Sequence, residues 1–145
     1  MPTMHNYAEH SRFAEKIRQM HTGETRGSEL YFVLIYLARE KGLDDLADAM
    51  LKNACEDSVH GGMYGAMLGQ GKESDAEFWK QVVGLYRLEA NAEHGLRKMA
   101  DEIRAGGEEE LAACVESTIA EENEHARRLK EVFDAHGIDY EHKPA

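Results

Sequence analysis

Four stretches of this chain carry apolar residues at alternating spacings of four and three, and each stripe is interrupted near its middle by acidic or imidazole side chains. The first runs Phe13, Ile17, Met20, Glu24, Gly27, Tyr31, Leu34, Ala38; the second Leu46, Met50, Asn53, Asp57, His60, Tyr64, Met67. The third runs Phe78, Val82, Leu85, Glu89, Ala92, Leu96, Met99, Ile103; the fourth Leu111, Val115, Thr118, Glu122, His125, Leu129, Val132. This period belongs to helices packed nearly parallel to one another. The only prolines are Pro2 and Pro144, so none breaks the span between them. Gly42, the segment GQGKESD at 69–75 and the pair Gly106-Gly107 punctuate the chain, with acidic residues suited to a first helical turn after each. Four helices follow, over 8–41, 44–69, 74–105 and 108–136, and the fold expected is an all-α four-helix bundle.

The stripes repeat. Adding 65 to the residue number takes Glu24 to Glu89, Asp57 to Glu122 and His60 to His125. The same shift takes Arg39 to Arg104, Gly42 to Gly107, Leu46 to Leu111 and Phe13 to Phe78. The chain reads as one domain over 1–145 built from two helical hairpins, about 8–69 and 74–136. A pseudo-two-fold relation between them would bring both sets of ionisable groups to one height.

A lone carboxylate on a packed seam costs several kcal/mol or must be neutralised, by about the desolvation penalty of a buried charge. Here all four helices carry such groups. Residues three apart share one helix face, so Asp57 with His60, and Glu122 with His125, can share one metal, or the carboxylate can bridge two. One glutamate from each of two helices, plus carboxylate-x-x-His from each of the other two, is the ligand set of di-iron and di-manganese bundles. Four carboxylates balance two divalent ions. Mixed oxygen and nitrogen ligation suits iron, with manganese or a mixed pair as the alternative.

The formal net charge of −11 argues against a nucleic-acid partner. The longest apolar run, LYFVLIYLA at 30–38, is too short to span a bilayer. Cys55 and Cys114 are the only cysteines, they form no C-x-x-C, and they read as small buried residues of a cytoplasmic protein. Gly61, Gly65 and Gly69 recur every four residues, which suits either close helix contact at a subunit interface or a loosened helix end.

GETRGSELY at 23–31, EDSVHGG at 56–62, LEANAEHG at 88–95 and EENEHARR at 121–128 together resemble the rubrerythrin-like members of the ferritin-like superfamily, over nearly the whole chain. The resemblance implies a ferritin-like four-helix bundle with two iron ions. It implies Glu24 and Glu89 as terminal ligands, Asp57 and Glu122 as bridging carboxylates, and His60 and His125 as imidazole ligands. It gives Tyr31 the role of a tyrosine that hydrogen-bonds a ligand carboxylate. Three departures accompany it. Asp57 stands where glutamate is usual, with Glu56 as a substitute lying off the seam. Ala92 stands where a further carboxylate is usual, with Glu93 one residue late. No rubredoxin-like module is present, so electrons must come from a separate donor protein or from substrate iron.

The function expected is reduction of hydrogen peroxide, or of O2, by a di-iron oxidoreductase. Ferritin-like oxidation and storage of ferrous iron is the alternative, and a helical module with a structural metal or none is the third reading. Ferritin-like topology needs the second connection to run the bundle's length. About 8 residues reach ~28 Å at ~3.5 Å each, against a span of ~35 Å from 1.5 Å per helical residue. A homodimer that exchanges hairpins resolves this, and a simple up-down-up-down bundle competes with it.

Overall fold

The computed structural model describes residues 4–142, and every regular element among them is helical. Five α-helices follow a short 3-10 turn at Ala8–His10: α1 Ala14–Glu40, α2 Asp44–Met67, α3 Asp75–Ala105, α4 Glu109–Glu116 and α5 Ile119–His136. The chain divides into two compact units at Glu73/Ser74, which is where the sequence repeat divides it. In the first, α1 packs along α2; in the second, α3 packs along α4 and α5.

The two hairpin turns are built alike. Gly42 and Gly107 adopt φ of +71° and +89°, which a side chain with a Cβ resists. In each turn the next amide reaches back over the glycine, Leu43 N–H to Ala38 O at 2.9 Å and Glu108 N–H to Ile103 O at 3.2 Å. The paired arginines hold the returning helix. Arg39 donates to Asp44 and Asp48 at 3.3 and 2.7 Å, and Arg104 to Glu109 and Glu116 at 2.9 and 2.8 Å.

The buried line inside each hairpin lies mostly one position round from the apolar stripe expected from the sequence, with Ala38 common to both. In the first hairpin Ile35, Ala38, Ala47 and Ala54 form the core, with Tyr31 and Met50 packed on it, and Gly61 and Gly65 continue the buried face of α2. In the second, Val83, Ala100, Ala112, Ile119 and Phe133 are buried. Ala47, Ala54 and Gly61 follow one another at intervals of seven, one position round from the Leu46–Asn53–His60 line. Small residues there let two helices approach closely: a Cβ built on Gly61 would lie 3.4 Å from that of Glu24. The repeat extends to this core with sizes exchanged. Ile35 and Ala54 in one hairpin correspond to Ala100 and Ile119 in the other.

The expected seam is open in part, while Ile17, Met50, Val82, Ile103 and Val115 on it are half-buried. Phe13, Met20, Leu34, Leu46, Phe78, Leu85, Met99, Leu111 and Val132 are all more than 40% exposed. Two helices bury one line between them, and a second apolar stripe on the same helices needs further neighbours to cover it.

Four expectations are corrected locally. The first helix begins at Ala14, not at residue 8, because Asn6 turns the chain at φ +59° and Ser11 is extended. Asn6 N–H donates to Ala66 O at 2.8 Å, which folds the N-terminal segment back over the end of α2. The helix expected over 108–136 breaks at Ser117-Thr118 into α4 and α5. There Ser117 Oγ donates to Cys114 O and Thr118 Oγ1 to Val115 O, at 2.7 and 2.9 Å, and such back-bonding competes with the helix's own ladder. Cys55 and Cys114 are exposed free thiols, not buried ones, since each lies beside the buried line rather than on it. Gly61 and Gly65 serve contact within the first hairpin, where Gly65 faces His21 and Gln70.

After α5, Gly137 reverses the chain and Ile138 N–H donates to Phe133 O at 2.9 Å. Tyr140 then lies against Tyr86 and Phe133, with ring centroids 5.2 and 5.5 Å away. Trp79 stands edge-on to the fully buried Phe133 at 6.2 Å. Edge-to-face and offset pairs of this kind add about 0.5–1.5 kcal/mol each beyond their buried area.

Candidate metal centre

Each hairpin gathers one three-residue set. Glu24 on α1 meets Asp57 and His60 on α2; Glu89 on α3 meets Glu122 and His125 on α5. In each set one ligand atom from every residue lies within 4.8 Å of the others. The carboxylate and histidine three residues apart share a face of one helix, and the glutamate arrives from the helix packed against it. The turn, the arginine clamp and the small-residue line fix how far apart those helices run.

In the first set His60 Nδ1 lies 3.7 Å from Glu24 Oε1 and 3.8 Å from Asp57 Oδ1. In the second, His125 Nδ1 lies 3.2 Å from Glu89 Oε2 and 3.6 Å from Glu122 Oε2. Two ligand atoms each about 2.1 Å from one ion stand about 3–3.5 Å apart. The second set is therefore close to the spacing that one divalent ion imposes, and the first is a few tenths of an ångström wider. Two carboxylates and one imidazole are hard and borderline donors that suit a divalent transition metal, so the residues present fit such an ion.

The carboxyl of Glu122 is held above the ordinary carboxylate range, first by its hydrogen bond with Glu89, then by loss of solvent and by the Glu89 charge; His125 acts in the opposite sense. A cation placed between the two carboxylates would offset the repulsion between their charges.

The burial expected of these groups is only partial. Glu24 is the most covered, its side chain 20% exposed, and His60 the least, at 51%. The reason is the one given for the seam: both sets sit on the stripe that a hairpin's own two helices leave open.

Around the sets the other candidates take definite places. Tyr31 packs against the first hairpin's core, and its hydroxyl accepts a hydrogen bond from Asn53 Nδ2 at 3.4 Å, which is the bond it makes here rather than one to a carboxylate. Glu93 bonds Arg97 and Asn123, and these partners, Asn123 first, hold its carboxyl below the ordinary range. Neither Glu93 nor Glu56 belongs to a set. His21, one turn before Glu24, donates from Nδ1 to Gly61 O at 2.8 Å and ties α1 to α2 beside His60. Its repeat equivalent, one turn before Glu89, is Tyr86. The spacing to the glutamates was the only signal for either residue, and their differing types hid it.

No family model matches the chain, and comparison with curated proteins and with solved structures finds no match to either. Every regular element among the described residues is helical, and none of those helices is long and apolar enough to cross a membrane.

Proposed function

We propose that this protein is a di-iron oxidoreductase that reduces hydrogen peroxide with electrons from a separate donor protein. The observation that carries the reading is the gathering of the same ligand set twice, at positions 65 apart, on corresponding elements of two hairpins. A single cluster of exposed carboxylates would carry nothing.

Glu24, Asp57 and His60 would hold one ion, and Glu89, Glu122 and His125 the other. Bound iron, with manganese as the alternative, would supply two electrons and Lewis acidity at the peroxide oxygens. The residues' own part is to fix the ligand atoms and to balance the charge. The core contact of Tyr31 would keep its ring two helical turns along α1 from Glu24, its hydroxyl directed by Asn53.

A dinuclear centre requires the two sets to meet, in a ferritin-like four-helix arrangement that would also cover the open apolar stripes. The connection between α2 and α3 is residues 68–74. Eight chain steps reach about 28 Å. A ferritin-like crossover, counted from His60 to the end of α2 and from the start of α3 to Glu89, needs about 31 Å along the axis alone. That favours a homodimer in which each centre draws one hairpin from each chain. The exposed Leu30, Val33, Tyr36 and Leu37 on α1 give it further apolar surface to bury. Exposed free thiols suit a reducing cytoplasm.

The test is anaerobic reconstitution with Fe2+, followed by metal analysis, solution mass and stopped-flow oxidation. Two irons per pair of hairpins, a dimeric mass, and oxidation by peroxide much faster than by O2 are expected. Less than one transition metal per chain would end the reading. Accumulation of mineral in large assemblies would replace it with iron storage.

A further inference from the structure

Beside the first ligand set, on the flank of the α1–α2 contact, lies a cavity of about 260 Å3 lined by His21, Thr25, Ser28, Ser58, Gly61 and Gly62. Ser28 is more than nine-tenths buried, and its Oγ has no hydrogen-bond partner. A buried hydroxyl left unpaired costs about 1–3 kcal/mol, so such a group marks a place where a bonding partner belongs.

The bonding capacity of the wall narrows what that partner is. Thr25 Oγ1 gives its proton to His21 O and Ser58 Oγ gives its proton to Ala54 O, both at 2.8 Å. Each has only lone pairs left to offer. His21 is spent: Nδ1 faces a carbonyl and must carry the ring proton, so Nε2 accepts from the Gln70 amide at 3.3 Å. Ser28 alone can still donate, and it can also accept. The wall therefore presents three oxygen acceptors and one donor, one residue along from the acidic Glu24 and Asp57. An anion finds one donor and two neighbouring carboxylates, which excludes it electrostatically. The complement is a small neutral molecule with O–H or N–H donors at both ends.

The two serines that line this cavity belong to the first hairpin. At the positions 65 further on, Ser28 and Ser58 become Glu93 and Asn123, larger side chains already bonded to each other at 2.9 Å. The two halves match in their ligands and differ in this pocket, so the pocket is not a by-product of the repeat.

We propose that this cavity is a vestibule that binds hydrogen peroxide beside Glu24, Asp57 and His60, with Ser28 donating to one peroxide oxygen and the Thr25 and Ser58 oxygens accepting from its O–H groups. The identity of the ligand rests on the proposed function; the donor pattern does not. Water, at about 30 Å3 a molecule, fills the space when peroxide is absent.

The test is an amide NMR titration of the full metal-free chain with hydrogen peroxide. Cys55→Ser and Cys114→Ser remove the exposed thiols that peroxide would oxidise. Reversible, saturable shifts confined to residues near 21–28 and 58–62 are expected. Ser28→Ala should weaken the apparent affinity at least ~10-fold, the effect of a lost hydrogen bond to an otherwise unpaired group, and Ser28→Thr, which keeps the hydroxyl, should restore it. Linear or scattered shifts, or a Ser28→Ala variant that titrates like the parent, would overturn the vestibule. Because no iron is present, saturation here together with failed iron loading would sink the proposed function and leave the vestibule standing; the reverse result would do the opposite.

Discussion

Exchanging two core side chains across the first hairpin tests how the fold positions the site. Ile35 and Ala54 share one buried cluster, 9% and 0% exposed. Ile35→Ala deletes most of a buried side chain and should cost about 2–4 kcal/mol. Ala54→Ile forces three methylenes into a contact where nothing is accessible and should cost about 1–3 kcal/mol. Were the sites independent, the double variant would lose the sum, about 3–7 kcal/mol. The second hairpin already holds the exchanged arrangement, Ala100 with Ile119, at the corresponding positions. The double variant should therefore lose less than about 2 kcal/mol, a coupling of at least about 1 kcal/mol for residues that share one volume. Urea midpoints measure this directly, since a chain of this size has a slope of order 2 kcal/mol per molar. Ala54 also sits one turn before Asp57. Ala54→Ile alone should push α1 from α2, widen the 3.7 Å between His60 and Glu24, and weaken Co2+ binding at the first set; the double variant should recover it. Additive losses within about 0.5 kcal/mol, or unchanged Co2+ binding in Ala54→Ile, would refute the idea that the small-residue line sets the ligand spacing.

Other outcomes follow from the two sets. His60→Ala and His125→Ala should each halve the iron bound per chain after anaerobic reconstitution, and the double variant should bind none, by metal analysis. In the His60→Ala variant, which keeps only the second set, Co2+ absorption should rise as the pH rises through the raised value of Glu122, with a proton released on binding. The same shift has a sign in the metal-free protein. The stability contributed by Glu122 is complete below the ordinary carboxylate pKa and is lost as the pH rises through its raised one, which thermal melts from acid to neutral pH would register. Gly69→Ala puts a side chain at φ +81°, with its Cβ 2.6 Å from Asn6 Oδ1. It should cost about 1–2 kcal/mol from the backbone alone and free the N-terminal segment to limited proteolysis.

The helical class, the turns at Gly42 and Gly107 and the residues that gather into the two carboxylate–histidine groups were legible in the sequence, because each rests on local spacing. Helix ends were legible where an acidic first turn follows a glycine and illegible where the reason is a side chain reaching backward. Ser117 and Thr118 look helical in a window of residues and break the helix through their own hydroxyls. The core was misplaced by one position for a physical reason. Large apolar residues dominate a periodicity, yet Ala47, Ala54 and Gly61 are what permit two helices to touch, and small residues carry little hydrophobic signal. The Leu46–Asn53–His60 stripe describes a surface that a hairpin alone leaves open, so the carboxylate and histidine groups stand half exposed. The vestibule had no sequence signal, since Ser28 becomes notable only when its missing partner is seen.

The halves differ at one ligand in a way that bears on the proposed chemistry. Asp57 stands where the second set has Glu122, and its shorter side chain leaves His60 3.8 Å from the carboxylate oxygen, against 3.6 Å for His125. A carboxylate one methylene shorter reaches less far and gives up some affinity. It would also leave space toward the neighbouring cavity that Ser58 and Gly61 line. If that space admits peroxide to the first ion, Asp57→Glu should trade one property for the other. Metal at the first set should be bound as tightly as in the parent or more so, read with Co2+ in a His125→Ala background. The peroxide reaction of the iron-loaded chain should slow about tenfold, the cost of one misplaced contact near the reacting atoms, while reaction with O2 changes less. Equal slowing toward both oxidants would show that the shorter side chain only tunes the metal, and faster reaction with peroxide would show that Asp57 obstructs the approach it is argued to open.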